Sequence, residues 1–154
     1  MDIRFYKPTV ADIPKMQEIV KEEVQSGKIL LRTEDEMATT IRSYTVVKVN
    51  DKIAGFTATH IHSPRLAEVR SLVVAKEFRG LKLGKQLVEA CIKEAKEYGI
   101  KQLLSLTYEQ GFFESCGFRV ISKEEIPEHK IWADCIRCKH FPICDEIAMV
   151  YELL

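Results

Sequence analysis

The amino-acid sequence predicts an α+β fold, a mixed central sheet flanked by helices, on three observations. Between Tyr44 and Val74, β-branched and aromatic residues run in segments broken by the turn residues Asn50, Asp51, Ser63 and Pro64, the pattern of an antiparallel meander. From Leu83 to Ala95 the apolar period changes to four: Leu83, Leu87, Cys91 and Ala95 recur, with Val88 and Ile92 beside them, as one stripe of a helix. Two capping signals, Thr9 with Asp12 and Thr33 with Glu36, open helices nearer the N-terminus. With no repeats, low-complexity tracts or flexible linkers, 1–154 is expected to form a single domain.

The elements follow in order. "DIRFYKP" is a first strand, and the helix opened by Thr9 runs to a stop at Ser26 and Gly27. After the short apolar stretch "KILLR", the T-x-x-E box of Thr33 and Glu36 starts a second helix in "EDEMATTIRSY". "YTVVKVN", "DKIAGFTATHIH" and "RLAEVRSLVV" are the meander strands, and the long helix that follows them stops at Tyr98 and Gly99. "KQLLSLT" is a strand, "YEQGFFESCGF" a short helix stopped by Gly117, and "FRVIS" a strand; the terminal "EIAMVYELL" closes the sheet.

Composition narrows the function classes. Of 154 residues, 46% are hydrophobic and 30% charged, enough for a real core but not for a second large domain. Lysine plus arginine and aspartate plus glutamate each total 23, so no overall field draws the chain to nucleic acid or an anionic membrane, and anion binding must come from local patches. "MDIRFYKPTV" lacks the apolar core of a signal peptide, and no apolar run approaches the roughly 20 residues that cross a bilayer, so a cytoplasmic location is expected. The expected partners are small molecules, with a homodimer as the one protein assembly considered.

One local patch stands out. "EFRGLKLGKQLV" follows a strand and begins the long helix, where unpaired backbone N–H groups and the helix dipole favour an anion. It is not a P-loop, because Gly80 and Gly84 are separated by three residues and Gln86 follows Lys85; nor does it fit G-x-G-x-x-G. It resembles the acetyl-CoA loop of the GNAT acetyltransferases, Arg or Gln, two residues, Gly, one residue, then Gly or Ala, in Arg79-Gly80-Leu81-Lys82-Leu83-Gly84. Lys82 stands where the family has a glycine, and a Cβ there is expected to require negative φ and an outward side chain. The resemblance implies the GNAT acyl-CoA N-acyltransferase fold and acetyl-CoA as co-substrate, held by 79–85, including Lys85, and by the backbone of Leu72, Val73 and Val74, with pantetheine lying beside a splayed strand.

"GFFESCGFRVI" resembles the family's late helix-strand element, F-Y-E-K-x-G-F, but Phe113 replaces the tyrosine that in many members protonates the departing thiolate. Tyr108, at the end of a strand, is the substitute acid. "GKILLRTEDEM", "LAEVRSLVVAKEFRG", "FFESCGF" and the tail "KIWADCIRCKHFPICDEIAMVYEL" together resemble the short, stand-alone N-acetylglutamate synthases, which implies acetyl transfer to the α-amino group of L-glutamate, the first step of arginine biosynthesis. Other readings are acetylation of another small amine or a protein N-terminus, or a non-catalytic acetyl-CoA-binding sensor.

Strand alternation puts Glu68 and Arg70 on one face, so a base and a carboxylate clamp can project into one cleft, unless the two are an ordinary surface pair. Glu68 matches the glutamate that several GNAT families use as base. Direct pairing with Arg70 would lower its pKa and weaken it as a proton acceptor; an Arg70 turned toward substrate would not. Arg32 resembles a synthase arginine of the same region and, with Arg70, can grip carboxylates. His60 and His62, at i and i+2, read as a base, half a metal site or plain structural residues.

Five cysteines, an odd number, argue against a fully paired disulfide scaffold. In the Cys-rich segment 130–145, Cys135, Cys138, His140 and Cys144 have a spacing that fits a structural zinc, but equally a labile disulfide, an iron–sulfur remnant or reduced packing thiols.

Overall fold

A computed structural model describes residues 1–27, 32–126 and 146–153. These build a seven-stranded mixed sheet in the order β1-β2-β3-β4-β5-β7-β6. Strand β1 (Ile3–Tyr6) lies antiparallel to β2 (Tyr44–Val49), which pairs antiparallel with β3 (Lys52–Ile61), and β3 in turn with β4 (Leu66–Val74). The expected meander is therefore present. Its first turn is made by Asn50 and Asp51, both left-handed at φ 49° and 67°, the conformation that a two-residue hairpin requires.

Helices cover both faces. On one, α1 (Ile13–Gln25) and the short α2 (Glu34–Thr39) bury Ile13, Met16 and Met37 against Tyr44, Val46, Phe56, Ala58 and Val73. Thr9 and Asp12 cap a short 3₁₀ turn at Val10–Asp12 that leads into α1, three residues later than the sequence places the helix. Thr33 and Glu36 form the expected reciprocal box at α2: Glu36 N–H donates to Thr33 Oγ1 at 3.1 Å and Thr33 N–H to Glu36 Oε1 at 3.0 Å. That helix stops at Thr39 and gives way to a 3₁₀ turn at Ile41–Ser43, shorter than the run "EDEMATTIRSY" suggests. On the other face α3 (Leu83–Glu97) lays Leu83, Leu87, Val88, Cys91 and Ala95 on the sheet, the stripe read from the sequence.

Strand β5 (Gln102–Thr107) is followed by α4 (Gln110–Ser115) and β6 (Arg119–Ile121), and β7 (Ile147–Glu152) inserts between β5 and β6. Phe113 and Phe118 pack edge-on at 5.1 Å in the core beneath α3. Gly117, at φ 96°, turns the chain from α4 into β6 where a Cβ would come within 2.9 Å of the Tyr151 ring. Among the described residues no helix is long and apolar enough to cross a membrane.

Two irregularities shape the site. Strand β4 pairs in parallel with β5 only over Leu66–Glu68 against Gln102–Leu104, although β4 continues to Val74 and β5 to Thr107, so the strands part beyond Glu68. On its other side β4 bulges: the register with β3 shifts between Phe56 and Ala58, and Ser71 takes a left-handed φ of 56°. The extra residue reverses the alternation. Glu68 and Arg70 share the face of α1 and α2, but after the bulge it is Val73 that packs under α1, while Leu72 and Val74 turn to α3. Gly55 makes the bulge possible, since a Cβ on it would lie 2.6 Å from the Val73 carbonyl oxygen.

Candidate active site

The loop after β4 starts with a 3₁₀ turn at Lys76–Phe78 and ends at the first residue of α3. Arg79 Nε–H donates to the Val74 carbonyl at 3.2 Å, tying the loop to the end of the strand. Gly80 has φ 92°, and no atom lies within 4 Å of where its Cβ would be, so the backbone there faces open space. Lys82, exposed, is the N-cap of α3 at φ 61° and ψ 26°, and its side chain makes no capping hydrogen bond. The expectation of negative φ at Lys82 is thus overturned. The reversal from Gly80 into the first turn of α3 imposes the left-handed conformation, and lysine adopts it at the steric cost of about 1 kcal/mol that glycine would avoid. Lys82→Gly is accordingly expected to raise the unfolding free energy by up to about 1 kcal/mol, less the entropy glycine gains in the unfolded chain. Denaturant unfolding checks this; a clear loss of stability would mean that the left-handed N-cap is not strained.

Glu68 sits where β4 and β5 part, paired with Leu104 on one side and His60 on the other. It is buried, with 7% of its surface exposed. Its Oε1 receives two hydrogen bonds, from His62 Nε2 at 2.8 Å and from Arg70 Nε at 3.0 Å. Burial pushes the carboxyl pKa up, but the His62 hydrogen bond and the Arg70 charge outweigh it and hold Glu68 below the usual carboxylate range. Glu68 and Arg70 do share a face, then, but as a direct pair. The two histidines are in contact as well, with His60 edge-on to His62 at 4.7 Å between centroids. Among the described residues, no cluster of three or more His, Cys, Asp or Glu side chains could hold a metal.

A cleft of about 360 Å³ opens between α1 and the sheet, lined by Gln17, Lys21, Arg32, Tyr44, Phe56 and the bulge residue Ser71 among others. Arg32, which follows the undescribed 28–31, therefore faces the same cleft as the bulge. Burial raises the pKa of Tyr44, and the positive charge of Arg32, a Thr40 hydrogen bond and the charge of Arg70 oppose that rise. Arg70 stands opposite Ala58 in register, under the same helices. The result is an apolar-floored cleft with cations at its wall and an ionised carboxylate at the adjoining strand junction.

Tyr108 is half buried immediately after β5, at the open end of the gap between β4 and β5. Phe113, at the family's tyrosine position, is buried in the core and offers no proton. Leu72, Val73 and Val74 line the part of β4 that β5 has left. Gly84 packs on the Phe112 ring, which a Cβ would meet at 3.5 Å, and Lys85 is exposed in the first turn of α3. The zinc set Cys135, Cys138, His140 and Cys144 lies outside the described residues.

Sequence reasoning missed the cleft-lining Gln17, Tyr44 and Phe56 and the bulge at Ser71. Gly55, inside an otherwise regular strand pattern, was the available signal of close backbone approach.

Comparison with known proteins agrees with the fold. The family model described as "Acetyltransferase (GNAT) family" matches residues 13–118. An uncharacterized N-acetyltransferase of Chlorobaculum tepidum is 35% identical over 94% of this chain and 92% of its own. The amino-acid acetyltransferase of Pasteurella multocida is 28% identical over 79% of this chain, which spans only 28% of that longer protein. Among solved structures, N-acetylglutamate synthase from Neisseria gonorrhoeae, complexed with coenzyme A and N-acetyl-glutamate, superposes on 100% of this chain and 36% of its own at TM-score 0.87 with 20% identity. Rv2747 from Mycobacterium tuberculosis, in complex with CoA and NLQ, covers 98% of this chain and 99% of its own at TM-score 0.82 with 21% identity.

Proposed function

Because the chain belongs to the GNAT acetyltransferase family, we propose that it transfers acetyl from acetyl-CoA to the α-amino group of L-glutamate. The observation that carries this reading is the junction of two features: an ionised Glu68, paired with Arg70 at the point where β4 and β5 part, and a cleft on the same sheet face lined by Arg32 and the bulge residue Ser71. The residues present fit acetyl-CoA. Gly80 gives a pyrophosphate close access to backbone, and the uncapped start of α3 offers N–H groups to its charge. Arg79, Lys82 and Lys85 add cations, and the backbone of Leu72, Val73 and Val74 can pair with pantetheine in the gap and polarise the thioester carbonyl.

In the acceptor cleft, Arg32 and Arg70 bind the two carboxylates and orient the amine toward the gap. The amine nitrogen attacks the thioester carbon; a C–N bond forms as the C–S bond breaks. Positive charge develops on nitrogen, and Glu68 stabilises it and takes up the proton through water. Its low pKa makes it a weak store, so the proton passes on to solvent. Tyr108 protonates the departing thiolate. The acetylated product is the first intermediate of arginine biosynthesis.

The names of relatives support the acceptor class, the amino-acid acetyltransferases and the N-acetylglutamate synthase above all. A purely acetyl-CoA-sensing protein would have no use for paired arginines beside an ionised carboxylate. The test is to mix the protein with acetyl-CoA and a panel of amines that includes glutamate, glutamine and peptide N-termini, following free thiol. Turnover with glutamate above all others is expected. Tight acetyl-CoA binding without glutamate turnover would overturn the proposal.

A further inference from the structure

We infer that His62 is a positioning residue for the reaction: it fixes Glu68 through Oε1 and leaves Oε2 to face the acceptor amine. The inference rests on the reading of Glu68 as the proton-accepting carboxylate. Its own ground is geometric. The His62 side chain is fully buried, at 0% exposure, and Nε2 lies 2.8 Å from Glu68 Oε1. Its other nitrogen, Nδ1, is buried with no hydrogen-bond partner among the described residues.

That asymmetry decides the tautomer. A proton on Nδ1 would leave a buried N–H donor unsatisfied, whereas a bare lone pair there costs less, so the ring carries its proton on Nε2 and donates it to the carboxylate. The imidazole therefore holds Glu68 in place by donating to Oε1.

The surroundings support a fixed pair. His62 N–H donates to the Leu66 carbonyl at 2.9 Å, which closes the β3-β4 turn and locks the ring's backbone beside the carboxylate. His60 stands edge-on against the imidazole at 4.7 Å and is itself opposite Glu68 in register. The titratable and charged groups set against Glu68 are His60 from β3, His62 from the turn that follows it and Arg70 from β4; from β5 its neighbour is the uncharged Leu104. Arg70 and His62 share one oxygen. With both donors on Oε1, removal of His62 frees the carboxylate to rotate and to gain a proton more readily.

The experiment compares His62→Phe, which fills the space without a donor, with His62→Gln, which keeps an N–H, and uses Glu68→Gln as the control. Expected for His62→Phe is an acid limb of the kcat/KM profile moved to higher pH by roughly one unit, the scale of a hydrogen bond to a charged group. KM for acetyl-CoA should stay within about twofold, and His62→Gln should restore most of the profile. In the wild-type protein, ¹⁵N NMR of labelled histidine should show the neutral Nε2–H tautomer, whether or not the variants fold. An Nδ1–H tautomer, or an acid limb that His62→Phe leaves in place, would overturn the inference. A fully active Glu68→Gln would instead remove the reading of Glu68 as acceptor, and the tautomer measurement keeps the two failures apart.

Discussion

Glu68→Gln is expected to lower kcat by about 10²–10⁴-fold, the range for removing a positioned general base, while KM for acetyl-CoA changes little. The substitution preserves shape, and the amide oxygen can still accept from His62 Nε2 and Arg70 Nε, now at 2.8 and 3.0 Å from Oε1. What it removes is the negative charge beside the attacking nitrogen and the site that takes its proton. The pH dependence carries a second check. Because Glu68 is held below the usual carboxylate range, this group should limit wild-type activity only at pH below that range, and its acid limb should vanish in the variant. Retention of near-wild-type kcat in Glu68→Gln, with an intact fold, would show that another group accepts the proton.

Much of the fold is legible in the sequence because local signals and tertiary needs agree. The four-residue apolar period of Leu83, Leu87, Cys91 and Ala95 becomes the buried stripe of α3, and the Thr33-Glu36 box forms with both hydrogen bonds. Asn50 and Asp51 tolerate the left-handed turn that joins β2 to β3. The site is less legible, because it depends on where the sheet departs from regularity. A period of two predicts the shared face of Glu68 and Arg70 but fails at Ser71, where the shift in register with β3 inserts an extra residue at a left-handed φ. Lys82 fails for a related reason: the turn into α3 dictates its conformation, and side-chain preference yields. The role of His62 was hidden because the residue lies six positions from Glu68, across a turn that sequence spacing does not measure.

Arg70→Ala is expected to act on stability and on catalysis at once, which separates it from a simple substrate clamp. Arg70 and Glu68 are 15% and 10% exposed at their side chains, so the pair is buried enough that removing one partner leaves the other poorly solvated. We expect a loss of about 3 kcal/mol at neutral pH, or about 9 °C in Tm, with His62 as the remaining donor to Oε1. The pH sign follows from the depressed pKa of Glu68. A carboxylate with a folded pKa below its unfolded value of about 4.3 contributes stability in full above that value and loses it as pH falls through the folded pKa. The gap between wild type and Arg70→Ala should therefore be full above the unfolded value of about 4.3, narrow as pH falls below it and close only below the folded pKa. Kinetically, KM for the acceptor should rise far more than KM for acetyl-CoA, and kcat should fall because Glu68 loses one of its two anchors. Arg70→Lys keeps the charge without the planar fork and should recover stability more than acceptor affinity. Equal rises in both KM values would mean that Arg70 serves the fold and Glu68 alone, leaving Arg32 as the carboxylate-binding arginine of the cleft.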